Sequence, residues 1–267
     1  YTDAVEQSTC QTCPAGSSCT WGLRSECPTG YYQHDEGEDF CNLCEARHFC
    51  VGGFRAVCVP GEYQPLTGQG TCNLCQVGNS CNEGVQSVCP DRTYQESVGQ
   101  HYCDWCPDGY ECTSGARVLC VNGQYATNAT LNECTSCHVA HYCVDGFMHI
   151  CAEGYHEPNV GSSLCSSCSV GSYCTLGVTD VCPGGSHQPT EAQNHCEACP
   201  AGSSCNTGMS TLCPAGSYQP AENQTSCITC SERHYCPQGT VDQIECEPGL
   251  FQDTAGEAAC KDCNKGF

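Results

Sequence analysis

CPAGSSCNTGMSTLCPAGSYQP, residues 199–220, contains CPAGS twice, and CPAGSS stands also at residues 13–18. Cysteines that return so regularly hold a metal, run redox chemistry or staple a chain that cannot hold itself. Which of these applies decides the fold. Outward from this stretch, Cys10, Cys41, Cys72, Cys103, Cys134, Cys165, Cys196 and Cys227 follow one another 31 residues apart, and each opens the pattern C-x2-C-x5-C-x7-C-x13. Only the eighth repeat departs, with nine residues instead of seven between Cys236 and Cys246. The repeats therefore span 10–40, 41–71, 72–102, 103–133, 134–164, 165–195, 196–226 and 227–259; residues 1–9 read as the end of a preceding repeat and 260–267 as the start of a ninth. This is a linear array.

Composition limits what such an array can be. With 34 cysteines in 267 residues the chain reads as a disulfide scaffold made in an oxidising compartment. Six Phe and two Met cannot furnish one large core, so small stapled modules are expected. Thirty Asp and Glu against eight Lys and Arg give a net charge of −22, which repels nucleic acid and anionic membrane surfaces. No apolar run is long enough for a transmembrane helix, so no membrane span is expected in this segment.

Equivalent positions can be compared within the one chain. Three residues after each third cysteine stands Gly22, Gly53, Gly84, Gly115, Gly146, Gly177, Gly208 or Gly239, a column that calls for positive φ or a close chain approach. A second glycine column, Gly30, Gly61, Gly123, Gly154, Gly185, Gly216 and Gly249, is broken only by Arg92. Two residues further stands a ring, Tyr32, Tyr63, Tyr94, Tyr125, His156, His187, Tyr218 or Phe251, which is the expected packing partner of the sulfurs. Val57, Val88, Leu119, Ile150, Val181 and Leu212 precede the fourth cysteine, with Glu26 and Glu245 in the outer repeats. Buried contacts between repeats are expected at the six apolar positions. Gly and Pro recur too often for helices, while GSYQP and GEYQP predict strands of two or three residues in minimal hairpins inside each repeat.

CPxGxYQ, a polar stretch and then CxxC, as in CPAGSYQPAENQTSCITC and CVPGEYQPLTGQGTCNLC, resembles the ephrin-receptor-like cysteine-rich repeat, a family similar to the modules of tumour-necrosis-factor receptors. The resemblance runs from Cys10 to Cys263. It implies a fold of small disulfide-rich tandem repeats, an elongated rod or superhelix of irregular loops and short β-hairpins with essentially no helix. It also implies an extracellular or cell-surface location. It further implies that the fourth cysteine of one repeat bonds the first of the next, giving Cys27–Cys41, Cys58–Cys72, Cys89–Cys103, Cys120–Cys134, Cys151–Cys165, Cys182–Cys196, Cys213–Cys227 and Cys246–Cys260. The remaining pairs are then Cys13–Cys19, Cys44–Cys50, Cys75–Cys81, Cys106–Cys112, Cys137–Cys143, Cys168–Cys174, Cys199–Cys205 and Cys230–Cys236. The eighth repeat, whose extra residues lie outside the x13 loop, agrees with this scheme. A rival pairing, first with third and second with fourth, stays open. Under the first scheme Cys10 and Cys263 are expected to bond to repeats beyond this segment.

Other chemistry has little to stand on. Zinc held by paired CxxC would not require the same four cysteines in a glycine and aromatic framework in every repeat, and no His column accompanies them. A redox CxxC belongs at a helix start, which is absent. His138, His141 and His149 lie at unequal repeat positions and read as surface imidazoles, whereas His48, His141 and His234 stand alike, two residues before a third cysteine, and read as turn packing. The acidic stretch Asp35, Glu36, Glu38 and Asp39 leaves calcium open but lacks the spaced ligand pattern of a calcium loop. Two sequons, Asn128-Ala-Thr130 and Asn223-Gln-Thr225, sit in x13 loops and predict N-glycans, with no other cofactor expected. No catalytic trio, phosphate loop or carboxylate pair stands out, so the expectation is a non-enzyme. The leading reading is a structural spacer or building block of a surface filament, with itself or other extracellular proteins as partners. The alternative is a receptor or adhesin ectodomain.

Overall fold

The computed structural model describes residues 1–2 and 10–263. Most of the expected preceding repeat over 1–9 and the end of the ninth repeat, 264–267, thus lie outside the described residues. The chain divides into two compact bodies: Tyr1–Cys120 with Ala126–Cys134, and Val121–Tyr125 with Thr135–Phe267. Both are built from the same small parts. The regular structure is a set of two-stranded antiparallel pairs, and the only helical element among the described residues is one 3-10 turn, Asn128–Thr130.

Two kinds of strand pair alternate. The first is a four-residue hairpin centred on the third cysteine, such as Ser203–Asn206 with Met209–Leu212, in which Cys205 lies opposite Ser210. The second is a two-residue pair that joins the ring position of one repeat to the CxxC of the next, such as Ser217–Tyr218 with Ile228–Thr229. The stretches GSYQP and GEYQP therefore make strands as expected, but these pair with the following repeat and not within their own. The four-residue hairpins carry no alternating apolar signal: in the first strand the buried residues are a cysteine and a serine, Cys205 and Ser203, and the second strand, Met209–Leu212, is exposed throughout.

Buried disulfides form the core, and in two places a ring is buried against them. Tyr32 clusters with Cys44 and Cys50, and Tyr125 with Cys137 and Cys143, all of them buried. A fully buried aromatic side chain contributes about 2 kcal/mol, so one buried ring in each body, Tyr32 and Tyr125, leaves most of the work to covalent closure. Neighbouring repeats meet at the first glycine column: the ring residues Tyr32, Tyr63, Tyr94, His156 and His187 form parallel bridges with Gly53, Gly84, Gly115, Gly177 and Gly208.

The six apolar residues before the fourth cysteine are not buried between repeats. Val57, Val88, Leu119, Ile150, Val181 and Leu212 are 42–62% exposed. The preceding repeat reaches the hairpin at its glycine turn, which leaves the far end of the second strand uncovered. In the eighth repeat the longer segment shortens the hairpin to His234–Tyr235 with Ile244–Glu245, and Thr240 instead of Gly239 accepts the backbone N–H of Gln219.

Candidate functional site

Chemistry-bearing side chains are dispersed, and the site to be described is a repeated covalent framework. The structure joins Cys13–Cys19, Cys44–Cys50, Cys75–Cys81, Cys106–Cys112, Cys137–Cys143, Cys168–Cys174, Cys199–Cys205 and Cys230–Cys236. It likewise joins Cys27–Cys41, Cys58–Cys72, Cys89–Cys103, Cys120–Cys134, Cys151–Cys165, Cys182–Cys196, Cys213–Cys227 and Cys246–Cys260. The short closures tie a turn to its hairpin, and the long ones carry each chain segment into the next repeat. Cys10 and Cys263 are free and exposed.

A polar column shapes the x13 loop and was not singled out in the sequence. Gln33, Gln64, Gln95, Gln188, Gln219 and Gln252 follow the ring residue and are buried. Gln188 Nε2 donates to the His195 carbonyl at 2.8 Å, and its Oε1 accepts the Thr190 N–H at 3.1 Å. The other five bond the residues seven and two positions on in the same way. Each amide is thus an internal strut satisfied on both sides, as a buried polar group must be.

Glu157 takes this place in the fifth repeat. The backbone N–H of Asn159 donates to its Oε1 at 2.8 Å and holds the carboxyl below its ordinary range, with burial acting in the opposite direction. A folded-state value below the unfolded one gives stabilisation that is present above the unfolded value and lost as pH falls through the folded one. Acid should therefore loosen the fifth repeat before the sixth, which carries Gln188. Glu157→Gln should remove that difference with little change at neutral pH. Amide hydrogen exchange of the fifth repeat, referenced to the sixth in the same sample, checks this; parallel acid responses in both proteins would contradict it.

Cations meet rings in the first body. Arg55 lies over the Tyr32 ring, 5.1 Å from its centroid, and pairs with Glu45. Arg117 lies between Tyr94 and Tyr110 and donates Nε to Glu96 at 2.6 Å, a bond that raises its guanidinium pKa further. His48, His141 and His234 share one geometry, with Nδ1 within 3.1 Å of the carbonyl two residues earlier. Elsewhere the Tyr142 and His149 rings stack, and His138 Nε2 lies 2.8 Å from the Tyr125 hydroxyl. Asp35, Glu36 and Asp39 are exposed and Glu38 is half-buried. No group of three or more His, Cys, Asp or Glu placed to hold a metal occurs among the described residues. Asn128 and Asn223 are both exposed in their x13 loops.

The x13 loop of the fourth repeat departs from the others, opposite Arg92 of the third. Arg92 stands in the second glycine column, and the loop that would face it is rebuilt. Ala126 fills the glutamine position, Thr127 and Thr130 form a capping box around the 3-10 turn, and Asn132 Nδ2 donates to the Cys106 carbonyl at 3.1 Å. In the preceding repeat the equivalent carbonyl, that of Cys75, accepts a backbone N–H from Gly99.

No protein-family model and no curated protein matches the chain. Its sixteen disulfides belong to the oxidising extracellular or secretory environment. Among the described residues no helix is long and apolar enough to cross a membrane. A tandem disulfide-rich repeat protein of extracellular structural or receptor-like kind is what these features describe.

Proposed function

We propose that the chain is a structural protein, a spacer or building block of an extracellular filament, which associates with copies of itself or with other extracellular proteins. The observation that carries the reading is the exposed apolar column. In the first body Val57, Val88 and Leu119, and in the second Ile150, Val181 and Leu212, present one similar contact per repeat. A contact too weak to hold alone multiplies once the first has formed, and exposed apolar side chains in register are characteristic of interaction surfaces. The reading also fits the sequence resemblance to ephrin-receptor-like repeats, and it assigns the chain no catalytic role. A receptor or adhesin reading draws on the departure of the fourth repeat, since a ligand site should differentiate one repeat from its neighbours.

Sedimentation of the protein across a range of salt, with and without calcium, tests the proposal. At −22, association should strengthen as salt screens repulsion. Lysine at positions 181 and 212 (Val181→Lys with Leu212→Lys) should weaken it sharply. A protein that stays monomeric throughout and binds a soluble protein ligand tightly would support the receptor reading instead.

A further inference from the structure

The geometry points to a docked glycan on the fourth repeat: an N-linked N-acetylglucosamine on Asn128 that lies against Trp105 and fills the cavity beside it. The inference rests on the secretory location proposed above. Arg92, Trp105, Cys106, Asn128 and Asn132 line one open cavity of about 430 Å³, a size range typical of small-molecule sites. Trp105 is 79% exposed. The matching residues elsewhere are Thr12, Leu43, Leu74, Ser136, Ser167, Ala198, Thr229 and Asp262, so an indole occurs here alone. A large flat ring left open to water beside a sequon is a surface that the C–H face of a pyranose covers, as aromatic faces cover apolar groups generally.

Three departures from the repeat converge on this spot. A Cβ at Gly61 would meet the Gly99 carbonyl oxygen at 2.2 Å, so the standard loop cannot face Arg92. Thr130 stands where that loop has Gly99, and the 3-10 turn sets Asn128 at the rim of the cavity. The Arg92 guanidinium reaches Asn128 Oδ1 only at 3.5 Å, which leaves its donors available to the N-acetyl carbonyl or a hydroxyl of the sugar. The backbone N–H of Asn128 is held by Asp108 at 3.0 Å, so the side chain is presented from a fixed turn. The seventh repeat, which carries Asn223, has Ala198 at the position that matches Trp105, so a glycan there has no ring to lie on and would extend into solvent.

In the attachment step, Asn128 Nδ2 forms the bond to C1 of the first N-acetylglucosamine of a lipid-linked diphosphate oligosaccharide. The C1–O bond to the diphosphate breaks, and one amide proton leaves with it. The folded fourth repeat then receives the sugar on Trp105.

The test uses the full chain secreted from eukaryotic cells, with Trp21→Phe to leave Trp105 as the only indole. The Asn128 peptide is expected to carry the glycan, and acrylamide should quench Trp105 weakly. Trimming to one N-acetylglucosamine should preserve that shielding. Complete enzymatic removal, or Asn128→Gln, should abolish it and bring quenching to the level of Trp21 in a Trp105→Phe protein, Trp21 being 98% exposed. Asn223→Gln should change nothing. An unmodified Asn128, or a glycan whose removal leaves Trp105 quenching unchanged, overturns the proposal. Thiol counting separates the two readings: paired cysteines with an unmodified Asn128 sink the glycan alone, whereas free thiols throughout sink the secretory location.

Discussion

Gly208→Val should destabilise the junction of the sixth and seventh repeats by roughly 3 kcal/mol or more, the sum of the left-handed strain and of at least one backbone hydrogen bond. Gly208 has φ 78°, a region in which a β-branched residue is an outlier. Its Cβ would stand 1.9 Å from the Gly171 carbonyl oxygen, a contact that neither backbone can relieve while the Gln188 N–H still bonds the Gly208 carbonyl at 3.0 Å. Gly52 supplies the control. It stands in the hairpin turn of the second repeat at φ 60°, with nothing within 4 Å of a Cβ placed there among the described residues. Gly52→Val should therefore cost only the strain, about 1–2 kcal/mol. Native-state hydrogen exchange resolves the two sites separately, as a repeat array requires. Equal losses at Gly52 and Gly208 would show that the left-handed strain alone accounts for the glycine column and that the close approach of the repeats is unimportant.

That comparison also shows what the sequence could disclose. The glycine columns and the ring position recur at a fixed period, and each has one dominant physical reason, so they could be read directly. The glutamines recur in six of the eight repeats, from Gln33 to Gln252, but a polar residue in a loop is ordinarily solvated. Only the placement of its backbone partners shows it to be buried. The valines before the fourth cysteine misled for the converse reason: apolar character at a repeated position suggests a core, yet the neighbouring repeat meets the hairpin at its turn and leaves them bare. Arg92 announced itself as a break in a column. Its answer in Ala126, Thr130 and Asn132 lies more than thirty residues along the chain and required the fold to connect them. Exposed surface without catalytic grouping is likewise hard to interpret from sequence, because a binding column differs from ordinary surface only by its regularity.

Removing Cys137 and Cys143 together, as a double Ala variant, should cost more than removing Cys151 and Cys165, although the second pair closes the longer loop. Sequence separations of 6 and 14 give chain-entropy contributions of about 2.4 and about 3 kcal/mol respectively. Loop length alone therefore favours the second pair by about half a kcal/mol. Burial reverses the order. Cys137 and Cys143 are 0% exposed and form a cluster with Tyr125, whereas Cys151 is buried but Cys165 is half-exposed. Deleting both inner sulfurs takes away the surface on which the Tyr125 ring rests and leaves a cavity, a further loss of about 2 kcal/mol in a module whose other large apolar side chains are not buried. Hydrogen exchange of the fifth repeat, with intact pairing elsewhere verified by mass spectrometry of non-reduced peptides, measures the difference. If the losses follow loop length instead, the short bridges act as entropic staples like the long ones, and the ring-on-sulfur core is not what holds each repeat in shape. If the inner pair proves costlier, the two sets of bridges divide the work, the long ones carrying the chain from repeat to repeat and the short ones serving as the core of each.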